Sequence, residues 1–327
     1  MAKKKTKKTK KLSAKLTKGV TSLEEQVKVL TEKLEQQTEV LDRTRKAKFK
    51  LPTGRKTKSG KGSFIRLIVP DTHGCRVDEG AIGAFLGDLE SLAPAVKEII
   101  YMGDHVDNDG FLSQHHVLGY IAQTEYSVED DLAAANTLLD RIQTLCPEAP
   151  LDYLEGNHER RVQTWIMSQV QRHKADGEWL RRLHSPINTL HLDKRGIKLY
   201  EQGIRYDDCR VPATIKRGHC YFTHGSRHGK NVAAQVLGDY GANVVFAHVH
   251  RAMQASTRMV DNGELHAWCC GCLCELQPVW KHSQPTEWNH GYGIQFAQES
   301  GDFLHLNIPI LDGKSFLVPL INLLEAN

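Results

Sequence analysis

Five short polar motifs follow apolar runs along this chain: Asp71-Thr72-His73, Gly103-Asp104-His105-Val106-Asp107, Gly156-Asn157-His158-Glu159, His224-Gly225 and His248-Val249-His250. Together they supply carboxylate, imidazole and amide-oxygen donors and no thiolate. That mixture suits Mn²⁺, Fe or Zn²⁺ better than Ca²⁺, which takes oxygen ligands. Two such cations ~3.5–4 Å apart activate water near neutral pH and clamp the oxygens of an in-line displacement at phosphorus. Asp71 with His73, and His248 with His250, are i, i+2 pairs, which an extended backbone points the same way. Any one of these residues alone reads as an ordinary polar side chain at a strand end. The ordered set of five does not.

The elements that position them alternate. Phe64–Val69, Lys97–Met102, Leu151–Leu154, His219–Thr223 and Asn243–Ala247 read as strands. Helices are expected over Asp78–Leu92, Val128–Leu145, Arg160–Val170 and Asn231–Asp239, with a polar helical stretch to about Leu190. The C-terminal third reads mostly as β. In open α/β sheets ligands gather beyond the carboxyl ends of strands, where each of the five motifs falls. The expected class is layered α/β, with mixed central β-sheets flanked by helices.

The set DxH, GDxxD, GNH, H and HxH resembles the calcineurin-like metallophosphoesterase superfamily over about Phe64 to His250, and more faintly members encoded by bacterial viruses. The resemblance implies a first metal on Asp71, His73 and His250. It implies a second on Asn157, His224 and His248, with Asp104 bridging the two. His158 would contact the scissile phosphate and protonate the leaving oxygen, and Asp107 would orient His158 or its loop. One departure matters: phosphoprotein phosphatases have GDxVDRG, and Asn108 stands where that arginine would be. A bidentate phosphate contact is thereby missing.

Arg227, His228 and Lys230 after His224, or Arg160 and Arg161 after the GNHE motif, are candidates to replace it, with solvated surface residues as the plainer reading. Trp268, Trp280, Trp288 and Tyr292 are candidates for stacking on bases, or for packing in the β-rich layer. The leading expectation is a phosphodiesterase or nuclease acting on nucleic acid or nucleotides. A phosphomonoesterase is the alternative, and a non-catalytic nucleic-acid-binding or assembly protein a third.

Residues 1–62 carry 20 Lys/Arg against 6 Asp/Glu, whereas the remainder carries 23 against 33. A basic arm on an acidic body suits nucleic acid or another polyanion, or serves as a solubilising tail. Residues 1–19 are expected to be disordered. Val20, Leu23, Val27, Leu30, Leu34, Gln37 and Leu41 set a heptad register over residues 20–47. That register implies a coiled coil joining copies of the chain, or a helix packed on its own catalytic domain. Residues 48–62 read as a basic flexible linker, and residues 63–327 as the catalytic domain. The clustered Cys269, Cys270, Cys272 and Cys274 invite a zinc reading but lack a second ligand pair at structural spacing, which favours reduced, buried thiols in a strand. No apolar run is long enough for a membrane span, and no apolar segment follows the lysines as an export signal would require, so a cytoplasmic protein is expected, in a bacterial host if virus-encoded.

Overall fold

The computed structural model describes Lys28 and residues 62–108, 127–170, 174–206, 209–260, 263–278, 281 and 284–325. The expected tail, heptad helix and linker fall outside these residues, apart from Lys28 and Gly62. In chain order the elements are β1 (Ser63–Val69), α1 (Glu79–Leu92), β2 (Val96–Tyr101), α2 (Val128–Leu145), β3 (Leu151–Leu154), α3 (Asn157–Gln169), α4 (Lys174–Leu183), α5 (Pro186–Thr189) and β4 (Lys198–Tyr200). β5 (Thr214–Arg217), β6 (Cys220–Thr223), α6 (Val232–Tyr240), β7 (Asn243–Phe246), β8 (Ala252–Met259), β9 (Gly263–Cys270), β10 (Gly291–Gln298), β11 (Phe303–Leu311), β12 (Lys314–Ser315) and α7 (Leu317–Glu325) follow.

Two mixed sheets face one another. The seven-stranded sheet runs β12-β11-β10-β1-β2-β3-β4, with β1 to β4 parallel and β10 to β12 antiparallel. The five-stranded sheet runs β5-β6-β7-β9-β8, with β6, β7 and β9 parallel. Residues 67–69 of β1 and 99–101 of β2 are apolar on both faces because both are covered. On β1, Ile65, Leu67 and Val69 pack with Phe85 and Leu89 of α1 and Leu138, Leu139 and Ile142 of α2. Ile68 turns the other way and meets Phe222, Val245 and Trp268 of the second sheet. The outer face of that sheet is closed by Val232, Val236 and Leu237 of α6 against Phe246 and Ala267. The architecture is thus helix, sheet, sheet, helix.

Helix starts follow local capping. Asp78 accepts from Ala81 N at 2.8 Å and opens α1, and Ser127 accepts from Asp130 N at 3.3 Å and opens α2. α3 begins at Asn157, three residues before the expected start, so Asn157 and His158 stand in a first helical turn whose N–H groups face the site. Leu317–Glu325 is a helix within a third expected to be mostly β.

Candidate functional site

β1, β2, β3, β6 and β7 deliver the five motifs to one rim of the two sheets, as the alternation implied. The loops after β2 and β3 come together backbone to backbone. A Cβ at Gly103 (φ 93°) would lie 2.7 Å from Gly156 N, and one at Gly156 would lie 2.1 Å from Asp104 Oδ1. Only glycine fits at either place. Asp71, His73, Asp104 and His250 thereby form one group of converging donors, and Asp104, His224 and His248 a second. Asn157 joins the second group through Oδ1, 3.0 Å from His224 Nε2. Asp104 is common to both.

The hydrogen bonds fix which imidazole nitrogens face inward. His73 Nδ1 lies 2.9 Å from Asp107 Oδ1 and His224 Nδ1 lies 2.8 Å from the Met102 carbonyl. A carboxylate and a carbonyl only accept, so both Nδ1 atoms carry hydrogen and each neutral ring turns its Nε2 lone pair to the centre. His224 Nε2 then meets Asn157 Oδ1 and, at 3.2 Å, Asp104 Oδ2. His250 Nε2 lies 2.7 Å from Asp71 Oδ2 and 3.1 Å from His73 Nε2. Acceptors crowded together and buried require a cation, either a proton or a metal ion. The Nδ1 atom of His248 is buried with no hydrogen-bond partner. This orphan and the converging lone pairs fit divalent cations, and the two groups could hold them.

Without such ions, protons supply the positive charge. Burial alone would raise the Asp71 carboxyl, but the His250 and His224 imidazoles hold it below its usual range. Asp104 lies well below its usual range for the same reason, with burial overcome by His224 and His158. His224 is raised to about 10, the Asp104 and Asp71 carboxylates outweighing the burial that would lower it. His248 is pushed down to about 3 by burial and by His224.

His158 stands beside both groups. Its Nδ1 is 2.6 Å from the Asp107 carbonyl and 3.1 Å from Asp107 Oδ1, and its Nε2 is 3.9 Å from Asp104 Oδ2. Burial would raise the Asp107 carboxyl, yet hydrogen bonds from His158 and His73 keep it well below the ordinary range. Asp107 therefore remains a carboxylate between two imidazoles.

Two expectations, on the backbone at the strand exits and on the cysteines, require correction. The i, i+2 pairs are not aligned by extended backbone: His73, His248 and His250 have φ of 53°, 75° and 56°, and Asp104 has 50°. Left-handed turns at the strand exits, costly for residues with a Cβ, aim these side chains inward. Arg227 is exposed and held by Asp239 at 2.5 and 2.8 Å, and neither it nor exposed Arg160 lines the cleft. His228 and Lys230 do line it, and Arg161 enters it with Nη1 2.7 Å from His158 Nδ1. The four cysteines do not lie in one strand, because β9 ends at Cys270 and Gly271 (φ 96°) turns the chain. All four thiols are free and buried, and Cys274 Sγ lies 3.9 Å from His250 Nδ1.

Among the stacking candidates, Trp268 packs between the sheets, and Tyr292 is buried with its hydroxyl on Asp88 Oδ2 at 2.7 Å. Trp280 lies outside the described residues. Trp288 lines the cleft. Asn108, in the place of the absent arginine, donates to the His158 carbonyl at 3.1 Å and contributes nothing cationic.

Sequence reasoning passed over two buried carboxylates. Glu159 accepts from the backbone N–H groups of Asp104, His105, Val106 and Gly156 at 3.0, 2.7, 3.4 and 2.9 Å, and from the Tyr153 hydroxyl at 2.6 Å. Asp131 of α2 accepts from the backbone of Cys75, Asp107 and Asn108. They bind the loops that carry the donors. The GNHE motif contained the signal for Glu159, and for Asp131 there was none beyond an acid in a first helical turn.

No family model matches the chain, and no curated protein matches it. Among solved structures the chain is similar to Vps29 of Chaetomium thermophilum, at 8% identity and a TM-score of 0.29, covering 74% of this chain and 96% of that one. A likeness of that size assigns nothing to this chain. Among the described residues no helix is long and apolar enough to cross a membrane.

Proposed function

We propose that the chain is a dinuclear-metal phosphoesterase of the calcineurin-like metallophosphoesterase type, acting as a phosphodiesterase or nuclease on nucleic acid or nucleotides. The observation that carries this reading is two buried donor groups sharing Asp104 beside a His158–Asp107 pair. Asp71, His73 and His250 would hold one ion, Asn157, His224 and His248 the other, with Mn²⁺ the expected metal. When bound, the pair supplies Lewis acidity and a water acidified toward neutral pH.

The protein groups then have defined tasks. Asp104 offsets the repulsion between two positive charges. Asp107 meets His158 Nδ1 through both its carbonyl and its carboxylate and so sets the ring, with Nε2 directed at the centre for the departing oxygen. Arg161 and Arg76 bring positive charge to the same wall of the cleft.

The test is purified protein with Mn²⁺ on bis-p-nitrophenyl phosphate, p-nitrophenyl phosphate, and single- and double-stranded DNA. Metal-dependent diester cleavage, abolished by chelation, is expected. Preference for the monoester with DNA left intact would make it a phosphomonoesterase. No metal-dependent turnover of any of the four would leave a binding or assembly role and overturn the enzymatic reading.

A further inference from the structure

The cleft over the two donor groups has a volume of about 790 Å³. A phosphoryl group and two cations fill a small part of that, while small organic ligands occupy pockets of about 300–1,000 Å³. The excess space is bounded by the segment between β9 and β10, which contributes Pro278, Lys281, Pro285 and Trp288.

This wall is tied down by its own hydrogen bonds. Gln277 donates through Nε2 to the Gln284 carbonyl at 3.1 Å and accepts from Thr286 N at 3.1 Å. Trp288 sits between two further anchors. Glu287 pairs with Arg251 at 2.5 Å, and Asn289 N donates to the His250 carbonyl at 2.9 Å while its Oδ1 accepts from Ala252 N at 3.2 Å. The indole is thus held against His250, ring centroids 4.2 Å apart and planes at 72°. Lys230 faces the cleft from the loop after β6, and among the described residues it makes no ion pair.

We propose, resting on the phosphoesterase reading above, that the cleft recognises a nucleobase-bearing phosphoester, with Trp288 as the platform for the base and Lys230 and Lys281 drawing in its anionic backbone. An anchored indole stacks on any base at little entropic cost, and the flanking ammonium groups attract phosphate without reading sequence. Base preference is therefore weak and ester size matters.

Equilibrium binding of thymidylate and of methyl phosphate, measured by calorimetry on the full chain, separates the base from the phosphate. The wild type is expected to prefer thymidylate by roughly ten-fold or more, the stacking contribution of one base. Trp288→Leu should abolish that preference while leaving methyl phosphate binding unchanged, and Trp288→Phe should retain part of it. An equal loss for both ligands in Trp288→Leu would mean that the indole only props His250, and would overturn the proposal. So would equal wild-type affinity for the two ligands. Because binding is read without turnover, an inactive protein that still prefers thymidylate sinks the hydrolytic reading and not this one.

Discussion

Replacing Glu159 by Gln tests whether the metal-site loops are held by one buried carboxylate. The two oxygens of Glu159 face five donors, four of them backbone N–H groups. An amide can put oxygen on only one side. If it keeps oxygen toward Asp104 N and Gly156 N, its NH₂ can donate to the Tyr153 hydroxyl, but it confronts the His105 N–H that was bonded at 2.7 Å. The opposite flip abandons both Asp104 N and Gly156 N. The first flip orphans two buried N–H groups, His105 at about 1–3 kcal/mol and the longer-bonded Val106 at less, and removes charge assistance from the bonds that remain, about 1 kcal/mol each. Burial and the nearby Asp104 raise the Glu159 carboxyl, so part of this loss is offset by no longer burying the charge. A net destabilisation of about 2–4 kcal/mol follows, which lowers Tm by roughly 5–12 °C in a domain of this size. Differential scanning calorimetry reads the stability, and elemental analysis after Mn²⁺ loading reads whether Asp104 and Asn157 still sit in register. Tyr153→Phe, losing one donor, should cost less and keep its metal. A Glu159→Gln protein that melts with the wild type and loads metal fully would refute the clamp.

Asp104→Asn should abolish the thermal stabilisation that Mn²⁺ gives the wild type, about 2.7 kcal/mol at a hundred times Kd. Its activity should fall by more than the roughly 10–100-fold that follows loss of an outer partner, and unchanged Mn²⁺ stabilisation would contradict a shared ligand. His305 is lowered by burial from 6.5 to about 4, with Asn307 on its Nε2 and nothing on its Nδ1. Its neutral form therefore stabilises the fold fully above pH 6.5, and about 3 kcal/mol is lost as pH falls to about 4. His305→Gln should flatten that part of the stability profile in chemical denaturation, and an unaltered slope would count against it. Deleting residues 1–47 should lower the mass seen by light scattering beyond the deleted segments and weaken nucleic-acid binding, with small-ester turnover preserved. Binding indifferent to salt would remove the electrostatic role of the arm.

The strand exits were legible because apolar runs of a few residues ending in polar motifs report both the sheet and its rim. α2 was legible to the residue, with Ser127 before it and a clear helical period. The backbone at the rim was not. Periodicity reports which face a side chain takes, whereas the positive φ at His73, Asp104, His248 and His250 is imposed by the packing of the loops against one another. Charge near a motif was also a poor guide. Arg160 and Arg161 are adjacent, and only the helical turn of α3 decides that Arg161 faces the cleft.

What each buried acid accepts separates ligand from scaffold. Glu159 is met by four backbone N–H groups and Asp131 by three, so their oxygens are engaged and neither is available to a cation. Asp71 and Asp104 are each met by the N–H of a single residue, His248 and His158 respectively. Their remaining capacity faces imidazoles. A carboxylate in a dry site must be neutralised, and one already surrounded by amides needs less further charge than one surrounded by lone pairs. The division of four buried acids into two that bind loops and two that await cations is thus written in their hydrogen bonds. Exchanging the types should fail in different ways: Asp131→Asn should loosen the loops and lower Tm while Mn²⁺ still stabilises the protein, whereas Asp71→Asn should lose the stabilisation that Mn²⁺ gives. Calorimetry with and without Mn²⁺ distinguishes them, and equal behaviour of the two variants would refute the division.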